Sequence, residues 1–279
     1  MRIAVNTRLL LKGKLEGIGW FTYQTLERIV RDHPEHDFVF FFDRPYDPLF
    51  VFAPNVTPVV VHPQARHPVL FYIWFEWSIP CMLRKYKIDL FVSPDSFMSL
   101  STKVPTCLVI HDLAFEHYPE HFVLAQRVYW RHFSPLFAQK AARIATVSTF
   151  SKNDLVKCYG ISESKIDVVY NGAHDEYRPL STDEREAAKK QYADGCEYFV
   201  FAGALHPRKN IVNLLKAFVL FLPPAAPSCP AASSPRPPAP RACRNCCATA
   251  TGPRAASAPP RDAGRFSGLV CAGQNPGTR

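Results

Sequence analysis

The sequence predicts an α/β fold in which a doubly wound parallel sheet is covered by helices on both faces. Short apolar segments alternate along the first 222 residues with segments of helical length and period, which is the order typical of repeated βα units. The short segments are continuous apolar runs, as expected for strands that are buried on both faces. With 279 residues, 47% of them hydrophobic, the chain is long enough to bury a substantial core.

Strands and helices are predicted in alternation. The strands are runs of apolar or β-branched residues, and they cover residues 3–6, 38–42, 56–61, 88–92, 106–110, 143–147, 166–170 and 198–202. The helices show an apolar period near 3.6 residues, and they cover residues 20–31, 67–86, 121–141 and 210–222, with two more beginning near residues 151 and 181. Ser151 with Asp154, and Ser181 with Glu184, match the capping box that begins a helix.

The domain boundary is predicted after Asn171 and Gly172, so that residues 1–172 form a complete Rossmann-like domain. Residues 173–222 hold a helix, a strand and a last helix, which is too little for a second domain of about 150 residues. We interpret this segment as the incomplete beginning of a second domain. Residues 223–279 are rich in Pro, Ala and Arg, and disorder is expected there because large apolar residues are rare.

This tail carries most of the net charge. The chain has a formal charge of +9, and the seven Arg and one Asp of residues 223–279 supply +6 of it. The preceding residues show no basic stripe interleaved with aromatic residues, so no nucleic-acid partner is expected. The tail is interpreted either as a Pro-rich linker or interaction arm or as GC-rich DNA translated out of frame. We favour the second hypothesis because Pro223 and Pro224 end a well-patterned helix abruptly.

The cysteines predict neither a zinc site nor an oxidising compartment. Cys243, Cys246 and Cys247 have no second ligand pair at zinc-finger spacing. The four cysteines before residue 223 are scattered, as expected for buried thiols in a reducing compartment. No apolar window reaches the length of about 18 residues that predicts a membrane span, and the N-terminus lacks a signal-peptide pattern. A soluble, cytoplasmic protein is predicted.

Candidate ligand-binding residues follow predicted strands, because ligands of open parallel sheets bind beyond the carboxyl ends of the strands. Gly17 and Gly19 lie between the first strand and its helix, where backbone amides can approach a phosphate. His111 and Asp112 follow the strand at 106–110, with Asp112 expected either to orient His111 or to cap a helix. An ordinary tight turn and a solvated histidine are the alternative interpretations.

The strongest indication of a ligand-binding site in a single stretch of sequence is the basic turn at Arg208 and Lys209. Asn210 is predicted to cap the helix that follows. Two cations beside the positive end of a helix dipole are electrostatically unfavourable, and a diphosphate bound between them would remove that conflict. A solvated basic turn is the alternative. Asn171 lies in a turn that is uninformative by itself.

Taken together, these residues resemble the family 4 retaining glycosyltransferases of the GT-B fold. The resemblance extends from residue 1 to about residue 221, and its motifs lie at residues 17–19, 110–113, 145–152, 168–172 and 201–211. The aromatic segment at 74–80 is similar to a bacterial, mannosyltransferase-like branch of the family that is concerned with surface polysaccharides.

The resemblance implies sugar transfer from a GDP- or UDP-linked donor to a saccharide or lipid-linked acceptor, without a separate cofactor and without an obligatory metal. It implies that Arg208 and Lys209 bind the donor diphosphate, that Gly17, Gly19 and Asn171 lie on the donor side, and that His111 and Asp112 belong to the catalytic centre. It also implies that the first domain holds the acceptor, with peripheral contact at the inner face of the membrane as an option.

The sequence departs from the family in one respect. The family carries two glutamates eight positions apart, late in the second domain, and no glutamate follows Phe221 here. We therefore expect little or no transfer by the chain as written. Two alternatives remain open: a saccharide- or lipid-binding remnant without enzymatic activity, and another Rossmann-type sugar-nucleotide enzyme such as an epimerase.

Overall fold

The computed structural model describes residues 1–65, 67–173, 177–203, 205, 207–221 and 270–271. The chain divides into two compact units, Met1–Gly172 and Ala173–Arg279. Each unit is described by itself below. Within the described ranges, no helix combines the length and the apolar character needed to cross a bilayer.

The first unit is built on a parallel sheet of seven strands. The strands are β1 Arg2–Asn6, β2 Asp37–Phe42, β3 Val56–Val60, β4 Leu90–Ser93, β5 Thr106–Ile110, β6 Arg143–Thr146 and β7 Ile166–Val168. Their order is β3-β2-β1-β4-β5-β6-β7, and Val5 of β1 pairs with Phe40 on one side and Val92 on the other. The strand order reverses between β1 and β4, so the switch point at which such sheets bind ligands lies beyond the ends of these two strands.

The segments that connect the strands form helices, which cover the faces of the sheet. They are α1 Gly17–Asp32, α2 Pro68–Ile73, α3 Ile79–Lys85, α4 Ala114–His117, α5 Leu124–Lys140 and α6 Thr149–Tyr159. Shorter 3₁₀ turns lie at Pro48–Phe50, Pro119–His121 and Glu163–Lys165.

The core lies on both faces of this sheet. Successive side chains of a strand point to opposite faces, and the even-numbered phenylalanines of β2 pack with Leu26 and Val30 of α1. The odd-numbered Val39 and Phe41 pack with Trp74 on the other face. A third cluster joins β5 and β6 to α5 and α6. The predicted α/β fold with strands buried on both faces is confirmed.

The helix predicted over residues 67–86 is interrupted by a π-helical turn at Trp74–Ser78. Pro80 has no amide hydrogen and cannot donate to the carbonyl of Glu76, as a continuous α-helix would require. Instead, the amide of Ile79 donates to the carbonyl of Trp74. The wider turn directs the Glu76 carboxylate toward the loop before β5, where it accepts hydrogen bonds from the amides of Leu100 at 2.7 Å and Ser101 at 3.0 Å.

Several helices of the first unit differ from the prediction, and α5 begins at Leu124 rather than at residue 121. Helix α1 begins at Gly17 rather than near residue 20. Helix α6 begins at Thr149, because Ser148 and not Ser151 is its cap, and the Ser148 hydroxyl accepts a hydrogen bond from the Ser151 amide at 3.0 Å. The short helix α4 was not predicted, because four residues are too few to show a helical period.

The predicted burial of the thiols is wrong for two of the three cysteines in the first unit. Cys81 and Cys158 are exposed, and only Cys107 is partly buried. Burial raises the pKa of the Cys107 thiol above its usual range.

In the second unit, the described elements are α7 Thr182–Ala193, β8 Tyr198–Phe199, a 3₁₀ turn at Pro207–Lys209, α8 Ile211–Phe221 and β9 Val270–Cys271. The capping box of α7 is confirmed: the Ser181 hydroxyl accepts from the Glu184 amide, and the Glu184 carboxylate accepts from the Ser181 amide.

The second unit also departs from the prediction. The strand predicted over 198–202 is only two residues long and pairs antiparallel with Val270–Cys271, a segment of the tail for which disorder was expected. No residue of α8 is buried, and this includes the apolar residues Ile211, Leu214, Leu215 and Phe218. Leu222 and the remaining residues of the predicted disordered tail lie outside the described residues.

Candidate active site

His111 lies directly beyond the carboxyl end of β5 and is half-buried. Its Nε2 is 2.8 Å from the carbonyl oxygen of Pro94, in the loop after β4. A carbonyl only accepts hydrogen bonds, so Nε2 carries a proton and donates it to this contact. The ring also meets Phe21 of α1 edge to face, with the centroids 5.0 Å apart. His111 is thus held in one orientation at the sheet edge where ligands are expected.

Asp112 takes the capping role rather than the orienting one. Its Oδ1 accepts a hydrogen bond from the Ala114 amide at 3.0 Å, at the start of α4. The group that orients the ring of His111 is the Pro94 carbonyl. Asp112 is exposed.

Gly17 and Gly19 lie in the first turn of α1, not in a loop before it. The amide of Trp20 makes the first intrahelical bond, to the carbonyl of Glu16 at 2.8 Å. The amides of Gly17, Ile18 and Gly19 therefore make no intrahelical hydrogen bond, and the Glu16 side chain does not cap them. The first turn holds no acidic residue. An uncapped helix start of this kind favours an anion.

The two glycines differ in what surrounds them. A Cβ on Gly19 would lie 3.0 Å from the carbonyl oxygen of Leu9 and 3.2 Å from Cδ2 of Leu15. A Cβ on Gly17 would meet nothing within 4 Å. Gly19 therefore lets the start of α1 pack closely on the loop after β1, whereas Gly17 leaves the amides accessible.

A buried ion pair at the switch point was missed by the sequence analysis. The Arg8 Nε lies 2.5 Å from Asp95 Oδ2, with 14% and 1% of the two side chains exposed. The other carboxylate oxygen, Oδ1, accepts from the Ser93 hydroxyl at 3.2 Å, which in turn accepts from Asn6 Nδ2 at 3.0 Å. This network links the ends of β1 and β4. Polar residues directly follow the apolar runs of both strands, but the sequence alone does not show that the two strands are neighbours.

Aromatic rings enclose the cationic side of this network. The Arg8 guanidinium lies over Phe71 at 4.8 Å and over Phe97 at 5.2 Å. Tyr129 of α5 packs near both rings. Burial, reinforced by the negative charge of Glu76, raises the pKa of the Tyr129 phenol far above its usual range. Tyr129 is therefore a neutral phenol across the physiological range, and Asp95 supplies the countercharge for Arg8.

The other predicted site residues are not gathered around His111 within the first unit. Asn171 is exposed and follows β7, the edge strand, which is two strands away from β5. Arg208 and Lys209 belong to the second unit, where they lie exposed in the 3₁₀ turn Pro207–Lys209 directly before α8. Asn210 precedes that helix with a φ of 50° rather than in the extended conformation of a usual N-cap.

The chain is similar to known proteins in sequence and in fold. The sequence profile described as Glycosyltransferase Family 4 matches residues 15–177. The O-antigen chain mannosyltransferase RfbU of Salmonella typhimurium is 25% identical over 166 residues, which are 60% of this chain and 43% of that protein. The O-antigen chain mannosyltransferase B of Escherichia coli is 26% identical over 141 residues, which are 50% of this chain and 36% of that protein.

Among solved structures, Anabaena Alr3699/HepE in complex with UDP and glucose superposes with a TM-score of 0.52 at 14% identity, over 78% of this chain and 57% of that protein. This likeness shows a fold of the GT-B type. The chain spans less than half of the length of the two curated relatives. Since the family profile covers more than half of the chain, the protein belongs to Glycosyltransferase Family 4.

Proposed function

We propose that the protein is a retaining glycosyltransferase that moves a hexose from a GDP- or UDP-linked donor to a saccharide or lipid-linked acceptor. Mannose is the proposed sugar, because both curated relatives are named as mannosyltransferases. A nucleotide-diphosphate donor is proposed because Anabaena Alr3699/HepE has been solved with UDP and with UDP-glucose. Because the chain spans less than half of its curated relatives, the activity of the whole protein is part of this proposal.

The observation that carries the proposal is the uncapped start of α1 beside His111. Breaking the bond between a sugar and a diphosphate leaves negative charge on the phosphate oxygens. Amides at the helix start that make no intrahelical hydrogen bond, such as that of Gly19, stabilise this charge without a rearrangement of the protein. His111 contacts α1 through Phe21, and we assign it to positioning the transferred sugar near the reacting carbon rather than to nucleophilic attack.

Arg208 and Lys209 are proposed to bind the donor diphosphate from the second domain. They lie directly before α8, where the helix dipole favours a bound anion. An arginine binds a diphosphate as a planar fork and a lysine binds it as a point charge. Asn171 is proposed to lie on the donor side, and the reaction is proposed to need neither a separate cofactor nor a metal.

The first unit is proposed to hold the acceptor. A lipid-linked saccharide would be presented at the inner face of the membrane, and the protein would then act as a cytoplasmic enzyme with peripheral membrane contact. The composition change after Leu222 leads us to propose that the 279-residue chain transfers little sugar by itself. Sequencing the coding DNA across Leu222 tests whether the tail is translated out of frame. If it is, another frame should continue the helix and supply the paired glutamates.

The transfer activity is tested in a chimaera in which residues 1–221 are followed by the donor domain of the Salmonella relative. Radiolabelled GDP-mannose and UDP-glucose are offered with a polyprenyl-diphosphate saccharide. We expect mannose to be transferred with retention, and His111→Ala to reduce transfer by about 100-fold because the sugar is misplaced. His33→Asn, a change at the far end of α1, is the control and should leave transfer unchanged.

The outcomes separate the parts of the proposal. A chimaera that is folded by circular dichroism but uses neither donor would overturn the assignment as a transferase. A product of inverted configuration would overturn retention alone. Equal activity of the His111→Ala and His33→Asn chimaeras would remove His111 from the site.

A further inference from the structure

A cluster of three metal-ligating side chains lies outside the candidate active site. His117 of α4 and Asp154 with Cys158 of α6 each offer one ligand atom, and these atoms all lie within 4.8 Å of one another. Asp154 and Cys158 are four residues apart and therefore share one face of the helix. His117 lies 37 residues before Asp154, so the cluster does not form a short sequence motif.

The distances suit a tetrahedral ion. Zinc with ligand bonds of about 2.0–2.3 Å places a thiolate and a carboxylate oxygen roughly 3.6 Å apart, and a nitrogen and an oxygen roughly 3.4 Å apart. Cys158 Sγ is already 3.7 Å from Asp154 Oδ1, and His117 Nε2 is 2.6 Å from Oδ2. The His117 contact has to widen, and 41% of that side chain is exposed, so the ring is able to move.

The electrostatic setting favours a cation. The Asp154 carboxylate is buried, with 8% of the side chain exposed, and its contacts come from a histidine and a thiol rather than from a lysine or arginine. The nearby Glu116 carboxylate is already engaged by Arg131 at 3.2 Å and by the Tyr159 hydroxyl at 3.1 Å. Nothing in the candidate active site requires these groups.

The cluster opens into a cavity of about 520 Å³ between α4, α5 and α6. His117 and Cys158 line it together with Glu116, Arg131, Pro135, Gln139 and Tyr159. Three protein ligands and an open fourth position facing solvent form the arrangement in which zinc keeps a bound water. The cavity therefore gives an ion an entry path and room for that water.

We propose that His117, Asp154 and Cys158 bind a divalent zinc ion, with water as the fourth ligand. Binding replaces the thiol proton of Cys158, which is released to solvent. Nε2 of His117 binds the ion without a proton, and the bound ring keeps one proton, on Nδ1. The ion joins α4 to α6. Because α4 begins two residues after Asp112, the site stabilises the segment that follows His111.

The test titrates Zn²⁺ into the full-length chain with Cys196 and the five cysteines after residue 222 replaced by serine, so that the second unit contributes no thiolate. Cys158→Ser and His117→Gln are the test variants, and their side chains are exposed enough for the fold to persist. A combined His33→Asn and His36→Asn variant is the matched control, because His33, Glu35 and His36 form another candidate group. Cys81→Ser controls for loss of an exposed thiol.

We expect one tight Zn²⁺ per chain, a higher melting temperature on binding, and affinity reduced by more than about tenfold in both test variants. The Co²⁺ complex should show a thiolate charge-transfer band that Cys158→Ser abolishes and both controls retain. Unchanged affinity in Cys158→Ser and His117→Gln would overturn the proposal. So would loss of binding in the His33 and His36 control, or a Co²⁺ spectrum without the thiolate band.

Discussion

The guanidinium of Arg8 and the carboxylate of Asp95 form an ion pair that closes the junction between β1 and β4, with the Arg8 Nε 2.5 Å from Asp95 Oδ2. Both side chains are withdrawn from water. Removing one member of such a pair leaves the other charge buried without compensation. The pair is therefore costly to disrupt, and its cost is measurable.

Asp95→Asn should lower the free energy of unfolding by about 3–5 kcal/mol, because Arg8 keeps its charge in a buried setting. Urea denaturation measures this loss. Asp167→Asn is the matched control, since Asp167 pairs with Arg143 at 2.7 Å but 53% and 56% of these side chains are exposed. Exposed pairs contribute about 0–1 kcal/mol. Equal losses in both variants would contradict the role assigned to burial.

Gly19→Ala should destabilise the first unit by about 1–3 kcal/mol, because the new methyl group meets the Leu9 carbonyl at 3.0 Å and the backbone has to shift. Gly17→Ala, two residues away, meets nothing within 4 Å. It should leave stability unchanged or raise it by up to about 1 kcal/mol. Thermal unfolding of both variants gives the comparison, and a destabilised Gly17→Ala would show that the helix start tolerates no side chain.

The Glu184 carboxylate should stay ionised to about pH 2. Its pKa is lowered from 4.5 to about 2, first by the hydrogen bonds from Arg178 and then by those from Ser181. A lowered pKa stabilises the folded form above pH 4.5, and this contribution is lost as the pH falls from 4.5 toward 2. NMR titration of the carboxyl carbon should show Arg178→Ala returning the midpoint toward 4.5 and Arg185→Ala leaving it low. A midpoint near 4.5 in the parent chain would contradict the contact.

Limited trypsin digestion should cut at Lys216 well before Lys157. Both lysines are exposed and lie in helices, but α6 buries Leu155 whereas no residue of α8 is buried. Local opening is cheap where few apolar contacts hold an element. Mass spectrometry of the early fragments measures the order, and simultaneous cleavage at both lysines would show that α8 is held as firmly as α6.

The strands of the sheet were predictable because each buried strand is a continuous apolar run. The hydrogen-bond partners of the individual residues were not predictable. Ile88 is buried and was predicted to begin a strand, yet its amide donates to the Leu83 carbonyl at 3.0 Å and β4 begins only at Leu90. Apolar patterns report burial and do not say which hydrogen bonds a residue makes.

The position of His111 beyond the end of a strand was predictable, because it directly follows an apolar run. The Arg8 and Asp95 pair was not, since its members lie 87 residues apart and meet only when β1 and β4 are known to be neighbours. Strand order is a property of the whole sheet, and a single sequence does not state it. The cap of α6 was misplaced for a local reason, because Ser148 and Ser151 have equally suitable side chains.

Every neighbouring strand pair in the seven-stranded sheet is parallel, and this has a consequence for synthesis on the ribosome. Parallel neighbours are never joined by a tight hairpin, so each pairing waits for a crossover. Strand β1 meets β2 early, but its other partner emerges only with Leu90. A nascent chain that stops before Leu90 therefore exposes one edge of β1 and leaves Arg8 without its Asp95 partner. Pairings between segments this far apart in sequence form slowly. The pairing of β1 with β4 is therefore the folding step at which a stalled or fast-translated chain is most vulnerable to aggregation.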